Sequence, residues 1–443
     1  MEMTDRFDLP VTSASAAAIG DYVAAVDLLL SANTGAAELL ERALAADPDF
    51  ALAHVARARL LQLQARMPEA RAAVARAKEL RSGVSAREQQ HIDTISRAVE
   101  GCATEALALV YTHASEYPRD ALPLSLALGV FGLLGFSGRL DHHEAQLALL
   151  EELAPHWGED WWFLGYLGWA YIETGEVAAG TRLVERSLAG NPRNAHAAHQ
   201  RVHGFFEAGD PSGGADFIRA WLSDYDRAGH LHCHLSWHLA LFELARGDAA
   251  RARAVYLDSI RPSVAQSAPM LSLADSASFL WRWRLYGAAP PLDQQWGEVA
   301  AHARRHFPQA SLAFADLHAA LAEAAIGNDE FVQARIGTAP PRPGRPPPTG
   351  QCCARIVRRR RCPRPWCKRR GRAAARRGAR RPAPDWRKSR ATRGLRGLAD
   401  PRLFAIWAAG QGRTPAALTA VPPAIGARRG LDRAMPMKGS PPR

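Results

Sequence analysis

The sequence predicts an all-α fold, a right-handed solenoid of stacked helical hairpins over residues 20–337 followed by a disordered basic tail, and three observations predict it. Through residues 15–335 apolar side chains recur three and four apart, the period of an amphipathic helix, and no alternating β-branched run interrupts them. Short breakers punctuate that period at Asp47-Pro48, Tyr117-Pro118, Asn191-Pro192, Ala208-Gly209-Asp210 and Arg246-Gly247-Asp248, each suited to closing one helix or opening the next. The breakers are themselves periodic, since Gly175 and Gly209 stand 34 residues apart. One hairpin cannot bury its apolar stripe alone, so units of this length must stack and share a core.

Taken in order, helices are expected at 35–46, 51–63, 68–80, 86–100, 103–116, 121–134, 142–154 and 160–173. They continue at 177–189, 194–207, 212–223, 230–245, 249–259, 270–285, 293–306 and 310–326. With Trp161 as first position of a repeat, Leu167, Gly168 and Tyr171 take places seven, eight and eleven, Gly175 the inter-helix turn and Pro192 place 32. That spacing is similar to the helix–turn–helix signature of tetratricopeptide repeats, with Leu164 where Trp is commoner. Places eight and twenty need small residues because the paired helices cross there. Two further registrations supply them, Ala58 with Ala70 counted from Pro48, and Ala240 with Ala252 counted back from Gly247.

Charge divides the chain. Residues 338–443 carry 28 of the 56 Lys and Arg against three acids, which leaves 28 basic and 41 acidic residues in 1–337. The overall +12 therefore describes neither part, and the acidic solenoid gives no electrostatic case for nucleic acid. Residues 1–19 form an N-terminal segment with no targeting signal, and the most apolar stretch, 129–136, is too short to span a bilayer. Cys102 and Cys233 stand alone and far apart, the usage of a reducing compartment, so a cytoplasmic protein without a membrane role is expected.

First helices of such repeats line a concave groove. The expected groove residues are Trp162, Trp169, His196, His199, His203, Phe206, His234 and Trp237, a surface suited to a peptide or to a flat ligand with a hydrogen-bonding edge. The function read from this is a non-catalytic scaffold that binds a protein or peptide partner. The alternative is a metal- or small-molecule-binding protein, conceivably hydrolytic, on the paired histidines: His199 and His203 are four apart on one helix, as are His234 and His238 on the next first helix. Place six should turn His238 toward the neighbouring helix rather than the groove, and no His-Glu-x-x-His occurs, so neither metal nor other cofactor is expected. Asp275 is the nearest acid to support such a site. Asp141-His142-His143-Glu144 reads as a helix cap instead.

The segment 196–282 is more specific. Phe206-Glu207-Ala208-Gly209, His234-Leu235-Ser236-Trp237-His238-Leu239-Ala240-Leu241, Tyr256-Leu257-Asp258 and Asp275-Ser276-Ala277-Ser278 follow one another in an order that resembles the tetratricopeptide repeat protein 38 family. The likeness covers roughly 20–335 and implies a repeat fold without an assigned activity.

The tail has no helical period and holds 17 of the 30 prolines. Its Cys352, Cys353, Cys362 and Cys367 lack zinc-ligand spacing. Arg, Pro, Ala and Gly are what GC-rich DNA yields in any frame. Read with GC-biased codons in a neighbouring frame, 385–404 give an amphipathic string similar to the "GGSxAQRD" helix that ends the same family. We expect 338–443 to be an out-of-frame translation, with a basic nucleic-acid arm as the competing reading.

Overall fold

The structure, a computed structural model, describes residues 3–337 except 286, 287, 289, 290 and 311. The expectations about the tail at 338–443 lie outside the described residues. Within them, regular structure is helical apart from one isolated bridge between Thr4 and Pro10.

The first hairpins are α1 (Ala16–Leu30) with α2 (Ala36–Ala46), α3 (Ala51–Leu63) with α4 (Met67–Leu80), and α5 (Ala86–Val99) with α6 (Ala103–Glu116). A short α7 (Ala121–Ser125) and α8 (His142–Leu153) follow. The middle hairpins are α9 (Trp161–Thr174) with α10 (Val177–Gly190), α11 (Ala195–Ala208) with α12 (Pro211–Leu222), and α13 (His232–Ala245) with α14 (Ala249–Val255). A π-turn at Tyr256–Ile260 extends α14, and α15 (Pro269–Leu285), α16 (Gln295–His306), α17 (Ala313–Ala325) and α18 (Asp329–Gly337) complete the array.

Starts and stops follow local chemistry. Asp160 caps α9 by accepting from the Trp162 and Phe163 amides, and Asn194 caps α11 through the His196 and Ala197 amides. Gly175 ends α9 at φ +108°, a left-handed conformation that costs glycine nothing. The small-residue places do what the register requires. Ala58, Ala70, Ala240 and Ala252 are all fully buried. At the α9–α10 crossing, a Cβ added to Gly168 would lie 2.7 Å from the Gly180 carbonyl oxygen, so the two backbones touch.

Three elements differ from expectation, one of them α18 at Asp329–Gly337, beyond the last expected helix at 310–326. Residues 16–30 form a helix, α1, which buries Ile19, Tyr22, Val26 and Leu30 and is opened by Ser15. The helix expected at 121–134 stops at Ser125, and 126–141 runs as successive turns. Its apolar content suggested a helix, but Gly129 sits at φ +82° and a Cβ on Gly132 would meet the Leu128 carbonyl oxygen at 2.2 Å. The backbone there is folded too tightly for a helix or a larger residue.

The superhelix also closes on itself. The α1–α2 turn reaches the start of α11: the Ala195 amide donates to Ser31 O at 3.0 Å, and Asn33 Nδ2 donates to Arg193 O at 2.9 Å. Tyr225 Oη donates to the Ala32 carbonyl, and Thr34 Oγ1 to Asp226 at 2.9 Å. The 126–141 segment reaches the later first helices, with Phe131 edge-on to Phe314 and to His234 at 5.7 and 6.3 Å between ring centroids.

Candidate functional site

Helices α11 and α13 are neighbouring first helices, and each carries two histidines one turn apart on the face turned to the other. The ring nitrogens converge. His199 Nε2 lies 3.1 Å from the Nε2 atoms of His203, His234 and His238 alike. Ligand atoms of His199, His234 and His238 all fall within 4.8 Å of one another. His199, His234 and His238 are buried, and His203 is half-buried.

Carboxylates fix the tautomers. His234 Nδ1 is 2.9 Å from Asp275 Oδ1 on α15, and His203 Nδ1 is 2.8 Å from Glu173 Oε1 at the end of α9. An acceptor carboxylate keeps the proton on Nδ1, so Nε2 of both rings is left as a lone pair. Two lone pairs thus point at His199 Nε2, which has at most one proton to offer. Burial first, and then the neighbouring imidazoles, hold His199 and His238 well below the usual histidine range, so neither of these two rings brings a second proton to the contact. A cation accepting all the lone pairs would resolve it. With metal–nitrogen bonds of about 2.0–2.1 Å, tetrahedrally placed ligand nitrogens stand about 3.3–3.4 Å apart, close to the 3.1 Å separations at His199.

The other expected groove residues separate into classes. Trp162 and Trp169 are buried, 1% and 3% exposed, and serve packing. Trp162 lies between Trp157 and Tyr166, and Trp169 against His143. Trp237 stacks on His234 at 5.3 Å and 12° and carries Arg282 over its ring. His196 packs on Tyr166, and burial pushes it down to about 3. Phe206 is 64% exposed at the end of α11. His238, placed toward the neighbouring helix, meets His199 of α11 there, Nε2 to Nε2 at 3.1 Å.

Asp141 occupies the cap position of α8 but makes no capping hydrogen bond. Its carboxylate takes Arg139 at 2.7 Å, while His143 Nε2 comes within 3.8 Å of Glu173. Glu173 escaped the sequence reading because it stands beside a turn glycine, where an exposed acid is unremarkable.

A second buried group, His91, His113 and Asp120, has a different chemistry. Arg87 Nη1 already holds Asp120 Oδ2 at 2.6 Å, and both histidines donate to the same carboxylate. With a guanidinium on the only anionic donor, this set is a structural pin between α5, α6 and α7, where a metal would meet a fixed positive charge.

No protein-family model matches the sequence. Among solved structures, the crystal structure of the P58(IPK) TPR domain matches over 72% of this chain and 81% of that one, at 17% identity and a TM-score of 0.23. A score that low carries no argument, so the helical-repeat fold rests on the hairpin geometry above. No described helix is long and apolar enough to cross a membrane.

Proposed function

We propose that this chain is a transition-metal-binding helical-repeat protein whose ion is held by His199, His234 and His238, with His203 beside the set through its contact to His199. One observation carries the reading. Four Nε2 atoms from two helices meet at His199, while the opposite nitrogens of two of the rings are held by Asp275 and Glu173. Neutral imidazoles with carboxylate-supported Nδ1 protons suit zinc first, then copper or nickel. This replaces the expectation of no metal drawn from the sequence.

The partner-binding reading keeps one specific support, the exposed ring of Phe206. An extended peptide laid along the later first helices would meet Phe131 against His234 and Phe314. Membership of the tetratricopeptide repeat protein 38 family and a cytoplasmic location stay proposals on the sequence features alone.

Metal content of the purified chain tests the main reading. Elemental analysis should find one transition-metal ion per chain, and His199→Ala with His238→Ala should lose it while keeping the helical circular dichroism. A wild-type chain that cannot take zinc from a weak chromophoric chelator would overturn the proposal.

A further inference from the structure

Exposure around the histidine centre rises toward His203. Trp237 stacks on His234 at 5.3 Å and meets His238 edge-on at 4.8 Å, and Phe131 lies edge-on to His234 at 6.3 Å. His199 and His238 are 8% exposed, whereas the His203 side chain keeps 24% of its surface. An ion arriving from solvent therefore meets His203 before the three buried rings.

Ligating atoms continue outward from His203. Its Nδ1 is 2.8 Å from Glu173 Oε1, and the other oxygen of that carboxylate, Oε2, is 3.8 Å from His143 Nε2 on α8. The His143 side chain is 23% exposed, so this outer end also reaches solvent. With metal–ligand bonds of about 2.0–2.2 Å, nitrogen and oxygen donors on one tetrahedral ion stand about 3.3–3.5 Å apart. The gap between Glu173 and His143 is wider than that by only a few tenths of an ångström. Asp275, the other acid of the centre, is buried against His234 and has no such outlet.

We propose that Glu173 and His143 form an entry site for a divalent transition metal, which passes from them through His203 to His199, His234 and His238. The inference rests on the metal reading of the histidine centre and adds the route by which the ion arrives. Each transfer is a ligand exchange, in which an imidazole replaces a bound water or an outer donor and no bond of the chain is made or broken. His203 suits the handover. With its Nδ1 proton held by Glu173, its Nε2 presents a lone pair 3.1 Å from His199 Nε2. A carboxylate at the mouth also concentrates cations there and quickens their capture. Entry and exit follow one path in opposite directions, so the outer pair sets both rates and leaves the affinity of the inner site alone.

The test uses the metal-free full-length chain. Stopped-flow mixing with zinc against a fluorescent zinc indicator gives the association rate, and capture by excess chelator gives the release rate. Glu173→Gln keeps an acceptor for His203 Nδ1 and removes the charge, while His143→Ala removes a donor outside the inner set. Association and release should both slow, by about tenfold or more in Glu173→Gln and by less in His143→Ala, with zinc affinity and circular dichroism unchanged. Added salt should slow association in wild type more than in Glu173→Gln. Wild-type rates in either folded variant overturn the entry site. So does weaker affinity carried by faster release alone, which would make Glu173 a support of the inner site like Asp275. A wild type that binds no zinc fails the metal reading itself, and the entry site falls with it.

Discussion

His234 Nε2 lies 3.1 Å from His199 Nε2 across 35 residues of sequence, while its Nδ1 donates to Asp275. Asp275 thus orients the ring toward the centre. Asp275→Asn keeps the shape and an acceptor oxygen but removes the charge. Metal affinity should fall about 10- to 100-fold, read by competition with a chromophoric chelator. Unchanged affinity would mean that the carboxylate does not support the centre.

Much of this arrangement is legible in the sequence, and its gaps have physical causes. The crossing places are local, so Gly168, Ala58 and Ala240 announce the hairpins by spacing alone. The histidine pairs show themselves as four-apart repeats, but their convergence depends on side chains reaching from α11 to α13, which no single helix records. The 126–141 segment misled because an apolar run signals burial, and burial alone does not choose between helix and turns.

Gly168→Ala should be among the more damaging single-methyl changes in the chain. The added Cβ would stand 2.7 Å from Gly180 O and 2.8 Å from Val184 Cγ2, and a backbone oxygen cannot rotate away. Overpacking of this kind costs about 1–3 kcal/mol. Urea unfolding should show a lower midpoint, and an unchanged midpoint would mean that α9 and α10 can separate freely.

Closure of the superhelix should be measurable at Tyr225. Its hydroxyl donates to the buried Ala32 carbonyl, joining residues 193 apart in sequence. Tyr225→Phe removes the donor and leaves the acceptor, at a cost of about 1–3 kcal/mol. Amide hydrogen exchange in the α1–α2 turn should quicken with it. Equal exchange in both proteins would show that the contact does not hold the ring closed.

Acid sensitivity should trace in part to His91. Burial pushes its pKa below the ordinary histidine value of 6.5, against the pull of Asp120. Burial alone would raise Asp120, but His91, His113 and Arg87 outweigh it and hold the carboxyl well below 3.8. The unfolded chain therefore takes up a proton at His91 as pH falls through about 6.5, while the folded chain does not. Unfolding binds protons in that window, so stability falls with falling pH, and the Asp120 contribution is lost further down, below about 3.8. His91→Gln can still donate to Asp120 but cannot charge. Comparing urea unfolding at pH 7 and pH 5 isolates the contribution from the other buried histidines. The variant's stability should fall less steeply than wild type, by up to about 1.4 kcal/mol per pH unit. Parallel pH dependences in the two proteins would mean that folded His91 titrates as it does in the unfolded chain, and the pin around Asp120 would have to be redrawn with a charged imidazole.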